Sequence, residues 1–232
     1  MQYSIINKKK IFAFNSEDQL LSKLDDFKGI LLALGAEKIL NDDKGLEDVI
    51  NKSLTYCDGY GAVYALKRKG VHSVKIPGAY LWISIIKKYY LHKSIYLLGS
   101  NDDVINKTKS KLEYIYPNIN ILGFNNGYFK DNKFIIDKLI SLKPDIVFVA
   151  LGSPKQEFFM DEALKSYNAL YMGLGGSFDL YIGNSKKVPL WWNRIIKWEG
   201  LYRTLSDLTN IKRIKRQKIL FKYLFALITN KI

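Results

Sequence analysis

The stretch Ile146-Val147-Phe148-Val149-Ala150-Leu151-Gly152-Ser153-Pro154-Lys155-Gln156-Glu157 decides how the rest of the chain is read. Its first half is a short apolar run rich in β-branched and aromatic residues, the signature of a fully buried strand. A strand apolar on both faces belongs to a sheet covered on both sides, which is how parallel sheets are built. The run opens without a spacer into glycine and polar residues. Ser153 is placed to cap a following helix, with Pro154 at that helix's first position. Lys155 and Gln156 then project from the helix start, where they suit phosphate or sugar hydroxyls. A plain N-cap with a solvated first turn fits the same spacing equally well.

Working outward, the pattern recurs. Gly29–Leu34, Ser94–Leu98, Ile119–Leu122 and Ala169–Leu174 are further apolar runs of strand length. Val104–Tyr116 and Asn132–Leu142 carry apolar residues at helical intervals, and Pro117 and Pro144 stop them. Strand alternating with helix predicts an α/β fold with a mostly parallel sheet and helices on both faces. Ligands of such sheets sit beyond the carboxyl ends of the strands. The residues there are Gly35-Ala36-Glu37-Lys38, Gly99-Ser100-Asn101-Asp102, Gly123 leading to Asn126-Gly127-Tyr128-Phe129, the Gly152 segment, and Gly173-Leu174-Gly175-Gly176-Ser177-Phe178-Asp179. Glycine lets a ligand approach the backbone, and a helix N-terminus favours a diphosphate. Any one of these loops fits an ordinary turn; five on one edge favour a binding site.

Asp58 stands in Thr55-Tyr56-Cys57-Asp58-Gly59-Tyr60-Gly61, read as a glycine-flanked turn after the helical segment Gly45–Leu54. A carboxylate there either reaches a ligand or bonds its own backbone. The two histidines, His72 and His92, have no metal-ligand spacing, and Cys57 is the only cysteine. No Asp-x-Asp pair, GxxxxGK[ST] loop or GxSxG elbow occurs. The expectation is a site without metal or cofactor, in which backbone N–H groups, helix termini and basic side chains stabilise a leaving diphosphate.

The 232 residues are 48% hydrophobic and 25% charged, which excludes a disordered chain. A single cysteine suits a reducing compartment. The N-terminus lacks a signal-peptide pattern, and no run reaches the about 20 apolar residues of a spanning helix. The expected location is therefore cytoplasmic. Of the net charge of +14, most lies at the C-terminus: from Lys186 onward there are twelve Lys or Arg against Glu199 and Asp207. This composition shift divides the chain into a body, 1–185, and a basic appendage, 186–232. In the appendage Ile211, Ile214, Leu220, Tyr223, Leu224 and Leu227 recur at helical intervals among Lys and Arg. Such a helix suits an anionic membrane surface, with aromatic residues in the headgroup layer. A helix packed on its own domain with a solvated basic face is the alternative. Nucleic acid is not expected, because the basic residues are mixed with Trp and Leu and no nucleic-acid motif is visible.

Taken together, Ala36-Glu37-Lys38, Tyr56-Cys57-Asp58-Gly59, Pro77-Gly78-Ala79-Tyr80-Leu81-Trp82, Leu98-Gly99, Gly127-Tyr128-Phe129, Gly152 to Glu157, Gly173 to Asp179 and Glu199-Gly200-Leu201-Tyr202-Arg203 resemble the WecG/TagA/CpsF glycosyltransferases. The wording is most similar to the N-acetylmannosaminuronic acid transferase branch. The resemblance implies a Rossmann-like fold and inverting, metal-independent transfer. It implies an N-acetylmannosamine-type sugar moved from UDP to a polyprenyl-diphosphate-linked amino sugar, in cell-surface polysaccharide synthesis at the inner face of the membrane. Asp58 matches the family's general base and Gln156 a residue beside the reacting sugars. Gly99, Tyr128, Gly152, Lys155, Gly175, Gly176 and Asp179 fall in the UDP and donor region, with Tyr128 as the aromatic that stacks on uracil. Arg203, Arg213 and Arg216 match tail arginines that hold the acceptor diphosphate. The chain departs from the pattern at Gly35, where many members have Asn. It departs also at Ala33, where the teichoic-acid branch has Thr, and at Gly200, where relatives often have Trp. These departures leave the sugar open, and the sequence also leaves homo-oligomerisation open. A non-catalytic UDP-sugar-binding partner that recruits another enzyme to the membrane is the competing reading.

Overall fold

The computed structural model describes residues 1–184, 202 and 211–229, the last segment without the side chains of 211–213, 215 and 216. Six strands form one parallel sheet: β3 (Gly29–Leu34), β4 (Leu54–Cys57), β5 (Ile95–Gly99), β6 (Ile121–Asn125), β7 (Ile146–Ala150) and β8 (Leu170–Gly173). Their order across the sheet is β4-β3-β8-β7-β5-β6. Alternate residues of the central strands feed two separate cores. Ile30, Leu32, Leu34, Val147 and Val149 point to one face, while Leu31, Ile146, Phe148 and Met172 point to the other.

Helices α2 (Ala36–Leu40), α3 (Lys44–Lys52), α4 (Tyr60–Arg68), α7 (Asn132–Leu142) and α8 (Lys155–Ser166) cover the first face. Helices α1 (Glu17–Leu21), α5 (Gly78–Tyr89), α6 (Asp102–Ile115) and α9 (Ser177–Ile182) cover the second. Trp82 of α5 is the largest side chain of that second core, packed edge-on against Phe148, Phe178 and Tyr181. The helix α10 (Ile211–Ile228) lies against α2 and α4, with Tyr223 and Leu227 buried.

The doubly covered parallel sheet is the architecture the apolar runs predict, and β3 has the bounds read from the sequence. Four features differ. Thr55–Cys57 is strand rather than turn: β4 occupies the edge of the sheet, and α3 ends before it at Lys52. Its run contains Thr and Cys instead of a string of aliphatics, so it lacks the usual strand signal. An N-terminal hairpin, β1 (Tyr3–Ile6) and β2 (Lys9–Phe12), was not expected. Asn7 and Lys8 both have positive φ, which is the two-residue turn that matches strand twist. The hairpin shields the β4 edge through side chains: Thr55 Oγ1 donates to Lys10 O at 2.7 Å and accepts from Phe12 N at 3.3 Å. The third difference is β6, which begins and ends later than Ile119–Leu122, so Gly123 is inside the strand. A Cβ there would meet the Tyr96 ring at 2.8 Å. Finally, Pro154, not Ser153, is the N-cap of α8, and it supplies no side-chain cap.

Candidate active site

The chain leaves β5 toward β6 and leaves β7 toward β8, so a crevice opens between these neighbours at their carboxyl ends. Gly99 closes its floor. A Cβ at Gly99 would lie 2.3 Å from the Ala150 carbonyl oxygen, and φ is +127°, so only glycine fits. Ser100 N then donates to Ala150 O at 3.2 Å, and Gly127 N donates to Ser100 O at 2.8 Å. The Ser100 hydroxyl donates to Asp179 Oδ2 at 3.3 Å. These bonds join the exits of four strands. Above them Tyr128 is 81% exposed. Its backbone N–H donates to Asn126 Oδ1, and Asn126 Nδ2 donates to Asp102 Oδ1 at 2.8 Å. The loop is thus held while the ring stays open for stacking.

A second group lies at the ends of β3, β4 and β8. Asp58 follows β4, and its N–H donates to Leu34 O at 3.1 Å. Its Oδ1 accepts from Gly78 N at 2.7 Å, at the start of α5. One carboxylate oxygen is thereby anchored, and the remaining lone pairs can receive a proton from a substrate hydroxyl. Gly78 is required here, because a Cβ would meet Tyr56 Oη at 2.7 Å and Asp58 Oδ1 at 3.4 Å. The Tyr56 hydroxyl is fully buried and has no hydrogen-bond partner among the described residues. Burial, and then the charge of Asp58, push its pKa well above the ordinary phenol value.

The first turn of α8 connects the two groups. Lys155 Nζ reaches the β6 exit at Gly127 O, 3.4 Å away, and lies 4.9 Å from the Phe129 ring. Gln156 Oε1 accepts from Gly175 N at 3.0 Å, at the β8 exit. Glu157 pairs with Lys38 at 2.9 Å, at the β3 exit. Three consecutive side chains therefore spread over three strand ends. Gln156 and Glu157 are buried, 3% and 0% exposed, which is rare for either type without partners. Burial pushes the Glu157 carboxyl up, but the charge and hydrogen bond of Lys38, aided by Gln156 and Ser153, outweigh it and hold it below the usual carboxylate range.

Helices α2, α4, α5, α8 and α9 start without a side-chain cap, whereas α1, α3, α6 and α7 each have one. Around them Gly35, Gly59, Gly152, Gly175 and Gly176 each face open space where a Cβ would stand. Neither neighbours nor positive φ explain Gly35, Gly59 and Gly176. What they provide is bare backbone at an open edge. A model of the glycosyl transferase WecG/TagA/CpsF family matches residues 15–231. The chain belongs to that family. It is a glycosyltransferase of cell-surface polysaccharide synthesis.

Within this transferase, Gly99, Tyr128, Gly152, Lys155, Gln156, Gly175, Gly176 and Asp179 share the strand-exit edge that the sequence indicates, and Asp58 lies on it at the end of β4. Arg203 lies outside the described residues, as do the side chains of Arg213 and Arg216. The appendage helix nevertheless reaches the Asp58 corner. Tyr223 Oη donates to Gly61 O at 3.1 Å, and its ring fills the space an alanine at 61 would need. Sequence reasoning assigned no role to Lys38, Glu157, Tyr56, Ser100 or Asn126. Lys38 and Glu157 stand in quoted motifs, but their pairing spans the chain from β3 to α8, and nothing local announces it. Among the described residues no group of three or more His, Cys, Asp or Glu could hold a metal ion, and no helix is long and apolar enough to cross a membrane.

Proposed function

We propose that the transferase moves an N-acetylmannosamine-type sugar, with or without an oxidised C6, from UDP to the free hydroxyl of a polyprenyl-diphosphate-linked amino sugar. The observation that carries this reading is the fan of Lys155, Gln156 and Glu157 over an edge that holds Asp58 on one side and exposed Tyr128 on the other. Uracil stacks on Tyr128, and the ribose and diphosphate lie over Gly99, Gly152, Gly175 and Gly176 near Asp179. Bare N–H groups and Lys155 receive the charge that develops on the leaving diphosphate, without a metal. Asp58 takes the proton of the acceptor hydroxyl as its oxygen attacks the anomeric carbon from the face opposite UDP. One C–O bond forms, the bond to UDP breaks, and the anomeric configuration inverts. Residues 1–185 form the catalytic domain. The 186–232 appendage meets anionic lipid at the inner membrane face and brings Arg203, Arg213 and Arg216 to the acceptor diphosphate.

The test is UDP release from a panel of UDP-amino sugars with a short polyprenyl-diphosphate N-acetylglucosamine acceptor. Asp58→Asn is expected to lower turnover by about 10²–10⁴-fold, the usual worth of a general base, with UDP affinity retained. Unchanged turnover would remove Asp58 from that role. Acceptor-independent binding of UDP with no release from any donor would favour a non-catalytic binding protein.

A further inference from the structure

We infer that Glu157, held ionised by Lys38, is a positioning residue that fixes which way round the Gln156 side-chain amide faces the reacting groups. The inference rests on the reading of Gln156 as a residue beside the sugars. An amide has an accepting end and a donating end of almost the same shape, and either can face a ligand. In this site each end has a partner that works in one sense only. Gln156 Oε1 accepts from Gly175 N at 3.0 Å, and a backbone N–H can only donate. Gln156 Nε2 donates to Glu157 Oε1 at 3.0 Å, and an ionised carboxylate can only accept. Gly173 lets the amide lie against the strand end, since a Cβ there would stand 2.6 Å from Nε2. One Nε2 hydrogen and one Oε1 lone pair are left over, pointing in defined senses.

The arrangement works only while Glu157 stays charged at complete burial. Lys38 provides the counter-charge: its Nζ donates to Glu157 Oε1 at 2.9 Å and to Ala33 O at 3.0 Å. The ammonium is thus tied to β3 as well, so the carboxylate is fixed in place and not merely neutralised. A glutamine at 157 would keep the shape but could donate as readily as accept. Gly175 N would then be the one partner still working in a single sense, and the amide would be held less firmly against the Gly175 turn.

Two arms test this. In the first, side-chain amide signals are followed by ¹⁵N NMR with UDP as the only ligand. The Gln156 pair is identified by its disappearance in Gln156→Ala. It is expected to be protected from exchange in the native chain, and Glu157→Gln should raise its exchange rate by at least about tenfold. Unchanged exchange in Glu157→Gln overturns the proposal. In the second, Glu157→Gln is expected to lower kcat about 10-fold or more while KM for the donor moves less than about threefold. The double variant Lys38→Met/Glu157→Met removes both buried charges at similar volume and should recover thermal stability but not kcat. Native kcat in that double variant shows a purely structural pair and overturns the proposal. If Gln156→Ala itself keeps full kcat, the reading of the site fails and this inference with it. If Gln156→Ala loses kcat while Glu157→Gln does not, only this inference fails.

Discussion

Tyr56 and Asp58 are two residues apart on the same short strand end, yet they are treated differently by the fold. Asp58 has a backbone donor aimed at one oxygen, whereas the Tyr56 hydroxyl is buried beside it with no partner among the described residues. An orphaned buried hydroxyl costs about 1–3 kcal/mol. Tyr56→Phe should therefore leave the unliganded protein as stable as the native chain or more so, read as the urea midpoint. A clear loss of stability would mean that the hydroxyl is satisfied in solution. The Lys38–Glu157 pair yields a pH-dependent expectation. Lys38 holds Glu157 below its ordinary range, so its contribution to stability is complete above the unfolded carboxyl's pKa of about 4.3 and fades as pH falls through the lower folded value. In Lys38→Met the Gln156 and Ser153 hydrogen bonds remain, but the counter-charge that outweighs burial is gone, and the folded carboxyl moves up instead. The variant should lose about 3–5 kcal/mol near neutral pH, the usual result of stranding one buried charge, and the gap to native should narrow toward pH 4. Urea titrations at several pH values measure it; a gap independent of pH would contradict the pairing. Of these residues, Gln156 drew notice in the sequence as a polar group just past an apolar run and Asp58 as a carboxylate in a glycine-flanked turn, while the roles proposed for both come from the family resemblance. Tyr56, Lys38 and Glu157 were not legible there, since their roles depend on contacts between distant strands.

At the scale of elements, legibility followed how far each strand is buried by its own sequence. β3, β5, β7 and β8 are central and almost wholly aliphatic or aromatic, so composition alone located them within a residue or so. β4 lies at an edge and is only four residues long, and its burial comes from a hairpin some forty residues earlier. No window around Thr55 contains that information. The same holds for α10. Its apolar spacing fitted a membrane face and a packed face alike, and Tyr223 and Leu227 turn out to pack on the domain, at 0% and 2% exposure. The Tyr223 ring seals the start of α4 over Gly61, directly after the Asp58 turn. Tyr223→Ala should therefore cost about 3–5 kcal/mol as a large-to-small change in a packed site. Tyr223→Phe loses only the bond to Gly61 O and should cost about 1 kcal/mol. Equal effects of the two would show that the ring does not pack there.

For the molecule as a whole, the charge is the feature that the packed interior does not use. Twelve Lys or Arg and two acids occupy residues 186–232, against a nearly balanced body. Packing of α10 through Tyr223 and Leu227 leaves Phe221, Phe225 and Ile228 on its outer side, 58%, 62% and 71% exposed, beside exposed Lys218 and Lys222. A helix that is apolar on its outer side and rich in cations can hold to a bilayer by both terms together. Each Lys or Arg near an anionic surface contributes about 1 kcal/mol, and that share is screened by salt, while the aromatic share is not. Co-sedimentation is therefore expected with phosphatidylglycerol vesicles and not with phosphatidylcholine vesicles, and should weaken as salt is raised. Phe221→Ser/Phe225→Ser should reduce binding to the anionic vesicles and steepen its salt dependence. Equal binding to neutral and anionic vesicles would assign the attraction to the apolar face alone, and no binding to either would leave the appendage without a membrane role. The catalytic consequence is separable. If the bilayer brings the appendage arginines to the acceptor diphosphate, anionic vesicles should raise turnover with a lipid-linked acceptor, and UDP affinity measured without acceptor should stay the same.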